Sequence, residues 1–70
     1  MGAKPGPVTR AFTATARRDG EGWLLQCDQH PGAISQVDTL DGAADVHAEA
    51  VAFVAGLPQD TITVTIRVLP

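Results

Sequence analysis

Apolar and polar residues alternate from Val8 to Arg18, with Phe12, Ala14 and Ala16 on one side and Thr9, Ala11, Thr13 and Thr15 on the other. A period of two is that of a half-buried β-strand. Asp19-Gly20-Glu21-Gly22 interrupts the pattern as a hairpin turn. The alternation resumes from Trp23 to Cys27, a second strand in which Trp23, Leu25 and Cys27 share a face. His30-Pro31-Gly32 reads as another turn, Pro31 presetting φ and Gly32 supplying the bend. Ala33 to Val37, with Ile34, is a short third strand.

The period then changes. Leu40, Ala43, Ala44, His47, Val51 and Val54 recur at spacings of three and four, the stripe of a helix over 40–55. Thr39 is the expected N-cap, because its hydroxyl can accept a backbone N–H left unpaired in the first turn. Gly42 weakens that turn. Gly56 and Pro58 end the helix, as a C-cap and a residue that cannot continue it. From Thr61 to Val68 the alternation returns, with Ile62, Val64, Ile66 and Val68 inward and Thr61, Thr63, Thr65 and Arg67 outward.

These elements predict an α+β domain of order β-β-β-α-β, a mixed four-stranded sheet with one helix on one face. The expected core is Phe12, Trp23, Leu25, Cys27, Ile34, Leu40, Val51, Val54, Ile62, Val64 and Ile66, with Pro31 and Gly32 shaping the loop that enters the third strand. Residues 1–7, with two prolines and two glycines, read as a disordered lead-in to a single domain over 8–70.

Seventy residues build only a thin core. One cysteine, Cys27, rules out an internal disulfide, so a homodimer or higher oligomer is the expected reinforcement. No apolar run approaches the roughly 18 residues that span a bilayer, and the first residues do not form a signal peptide. An unpaired cysteine without an export signal fits a cytoplasmic protein, and no membrane association is expected.

Charge is segregated. Lys4, Arg10, Arg17 and Arg18 hold four of the five basic residues, while all eight acids lie between Asp19 and Asp60 in a stretch without Lys or Arg. Phosphate backbones are bound through Lys and Arg, so direct nucleic-acid binding is not expected. Asp38, Asp41, Asp45 and Glu49 follow at helical spacing. Carboxylates early in a helix suit its positive end. Glu49 lies further along, and Asp41, Asp45 and Glu49 together are also a candidate ridge for a basic partner.

Candidate chemistry is sparse. Cys27-Asp28-Gln29-His30 holds a Cys-x-x-His pair that could ligate zinc or pair a nucleophile with a base. Zinc wants three or four protein ligands, and Cys27 shares a face with Trp23 and Leu25, which favours a small buried apolar role. His47, on the helix stripe, is likewise read as a packed residue. No phosphate loop, Ser-His-Asp spacing or two-metal carboxylate set is present, so no catalytic residue, metal or cofactor is expected.

The stretch from Phe12 to Val68 resembles the HicB-like antitoxin family. The likeness lies in Gly22-Trp23 opening the second strand, the Pro31-Gly32 loop, Ile34-Ser35-Gln36, and Thr39-Leu40 entering an Ala-rich helix that ends in Gly56-Leu57-Pro58 before a β-branched strand. The resemblance implies a partial ribonuclease-H-like fold with strand four beside strand one and no catalytic carboxylate set. It also implies a dimer or larger assembly that neutralises a small basic ribonuclease toxin. Many members add a C-terminal DNA-binding domain, whereas this sequence ends at Pro70, so no such module is expected here. The alternative expectation is a solitary oligomeric adaptor of the same fold without a toxin partner.

Overall fold

A computed structural model of the chain describes residues 9–70. Val8 and the expected lead-in over 1–7 lie outside the described residues. The order is β1 (Arg10–Asp19), β2 (Gly22–Cys27), β3 (Ile34–Val37), α1 (Ala43–Ala55), a 3₁₀ turn (Gln59–Thr61) and β4 (Ile62–Val68). The fold is α+β, with one mixed sheet of strand order β3-β2-β1-β4 and one helix. β1–β2 and β2–β3 are antiparallel, and β1–β4 is parallel. Strand four therefore stands beside strand one, with the helix making the crossover that a parallel pair requires.

Register decides which residues meet the helix. Ala14 pairs with Cys27 and Ala16 with Leu25, while Val64 and Ile66 pair with Phe12 and Ala14. All of these lie on one face. Two clusters form beneath the helix: Ala16, Leu25 and Ala43, flanked by Trp23, Val37, Leu40 and Ile66; and Cys27, Ala33 and Val51, flanked by Phe12, Ala50, Ile62 and Val64. The largest fully buried side chains are Leu25, His47, Val51 and Cys27. Alanines at 14, 16, 43, 48 and 52 fill the rest of the seam, so helix and sheet meet across small side chains.

Four expectations need correction. The helix begins at Ala43 rather than Leu40, because Gly42 adopts φ 72°, a left-handed conformation that cannot continue a right-handed helix. Gly42 is itself the N-cap, no side chain caps the helix, and Thr39 lies in the preceding bend. Leu40 stays half-buried against the first cluster, its carbonyl accepting a hydrogen bond from the Ala43 N–H at 3.1 Å.

Ile34 is not core. It pairs with Gln26 while Ser35 pairs with Leu25, so the inward positions of β3 are Ser35 and Val37, and Ile34 is 51% exposed on the open face. Val54 is also surface, 43% exposed. The last helical turn passes the Pro31-Gly32 turn, where Val54 Cγ1 lies 4.0 Å from the point a Gly32 side chain would occupy. Gly32 has nothing with which to cover it. Pro31 and Gly32 do shape the loop as expected: the Ala33 N–H donates to the His30 carbonyl at 2.8 Å, closing a four-residue turn.

Candidate interaction surface

The buried side of α1 is Ala43, His47, Ala48, Val51 and Ala52. At about 100° per residue, Val46 and Phe53 stand two turns apart on the opposite side. They are 50% and 89% exposed, an unusual position for a phenylalanine. Glu49 and Ala50 lie between them, and Asp45 precedes Val46. The outer face is thus an apolar stripe with two carboxylates beside it. Asp45 occupies the first turn, where the helix dipole favours an acid, and Glu49 lies beyond its reach. Asp41 is exposed in the turn before Gly42, so the expected ridge of three acids keeps only Asp45 and Glu49 on the helix.

The signal for Phe53 was present in the sequence, since a helical wheel through Val51 leaves Val46 and Phe53 facing away. The stripe through His47 and Val51 describes only the covered side and is silent on the apolar residues opposite it.

A second acidic feature lies at the far end of the sheet. A shallow depression of about 290 Å³ is lined by Asp19, Glu21 and Asp38 together with Trp23 and Gln36. The Gln36 amide donates to Asp19 at 2.7 Å, and the Arg18 guanidinium stacks on Trp23 with 4.7 Å to the ring centroid.

Around β1 and β4 the open face of the sheet is polar and cross-linked. The Thr15 hydroxyl donates to Asp28 at 2.8 Å, while Arg67 donates to Thr15 at 3.1 Å and approaches Asp28 at 3.4 Å. Gln29 accepts from the Thr13 N–H and donates to the Thr13 hydroxyl, both at 3.0 Å.

Cys27 and His30 are not joined. Cys27 is buried with its thiol 3.6 Å from the Gln29 side-chain oxygen, and the His30 ring packs against Phe12 at 5.6 Å between centroids. Among the described residues no group of three His, Cys, Asp or Glu side chains is placed to hold a metal ion. His47 is fully buried, with Nδ1 2.9 Å from the Ser35 hydroxyl and Nε2 without a partner among the described residues. Burial lowers its pKa below the ordinary histidine value, which favours the neutral ring. No helix among the described residues is long and apolar enough to cross a membrane.

Comparison with protein-family models, curated proteins and solved structures found no match.

Proposed function

We propose that this chain is a non-catalytic protein-binding module whose outer helix face docks a basic partner, as a HicB-type antitoxin docks a small RNA-cleaving toxin. The observation that carries this reading is Phe53, 89% exposed beside Val46 and flanked by Asp45 and Glu49. An exposed aromatic on a helix is a ready anchor, and carboxylates around it steer and orient a positively charged surface. The stretch from Asp19 to Asp60 without Lys or Arg keeps like charge away from such a partner. The family likeness of the sequence supports the choice of an RNA-cleaving protein as that partner.

Co-expression with a small basic ribonuclease encoded beside this chain tests the reading. A complex should form and suppress RNA cleavage. Phe53→Ser should weaken it at least tenfold, and Asp45→Lys with Glu49→Lys should weaken it further. Unchanged affinity in all of these variants would remove the helix face from the account.

A second reading, an oligomeric adaptor without such a partner, is favoured by β4, which lies at a sheet edge.

A further inference from the structure

We draw no further inference here: the strongest candidate, the shallow depression at the hairpin end of the sheet lined by Asp19, Glu21, Trp23, Gln36 and Asp38, is a carboxylate cluster, and nothing else among the described residues points to a ligand there.

Discussion

Ser35 on β3 and His47 on α1 share the one side-chain hydrogen bond that joins helix to sheet among the described residues, at 2.9 Å. It sits inside an otherwise apolar seam, and the other imidazole nitrogen has no partner among the described residues. His47 is therefore packed as a neutral group whose protonation the interior opposes.

The pH dependence of stability follows. Burial lowers the folded-state pKa of His47 below its unfolded value of about 6.5. Between those two values the unfolded chain binds the extra proton, so stability is full above about pH 6.5 and falls as pH drops toward the folded pKa. One proton accounts for at most about 1.4 kcal/mol per pH unit. Denaturant titrations from pH 7.5 to 5 should show this slope, and His47→Gln should flatten it. An unaltered slope in the variant would assign the effect elsewhere.

Leu25 and Phe53 should behave oppositely to truncation. Leu25→Ala empties a fully buried site and should cost about 2–5 kcal/mol. A chain of this length holds only about 4–10 kcal/mol in all, so that variant should be largely unfolded or close to it. Phe53→Ala should change stability by no more than about 0.5 kcal/mol, its side chain being exposed. Urea melts of the two variants measure both.

Gly22 should not tolerate a side chain. A Cβ there would lie 2.5 Å from the Val37 carbonyl oxygen, which is backbone and cannot swing away. Gly22→Ala should therefore pry β3 from the start of β2 and lower the melting temperature. Faster amide exchange from Ile34 to Val37 should accompany the loss, and a wild-type melt would contradict the contact.

Arg67→Ala should cost about 0–1 kcal/mol. The Arg67–Asp28 pair is exposed to water, and such pairs contribute little and less at high salt. Thermal melts at low and high salt would show the difference shrinking with salt.

The sequence by itself determined every strand and the face each long strand turns to the helix. Period-two alternation over seven or more residues in β1 and β4 leaves one arrangement that buries the apolar set. Tertiary structure decided the rest. The four-residue β3 has too short a pattern to choose a face, and pairing Leu25 with Ser35 turned Ile34 outward. Thr39 has the chemistry of an N-cap, yet the left-handed turn at Gly42 delays the helix to Ala43 and leaves Asp41 off it. Val54 fits the helical period, but burial needs something overhead, and the turn beside it offers only a glycine. Spacing places a residue on a side of its own element; whether that side is covered depends on a neighbour distant in the chain.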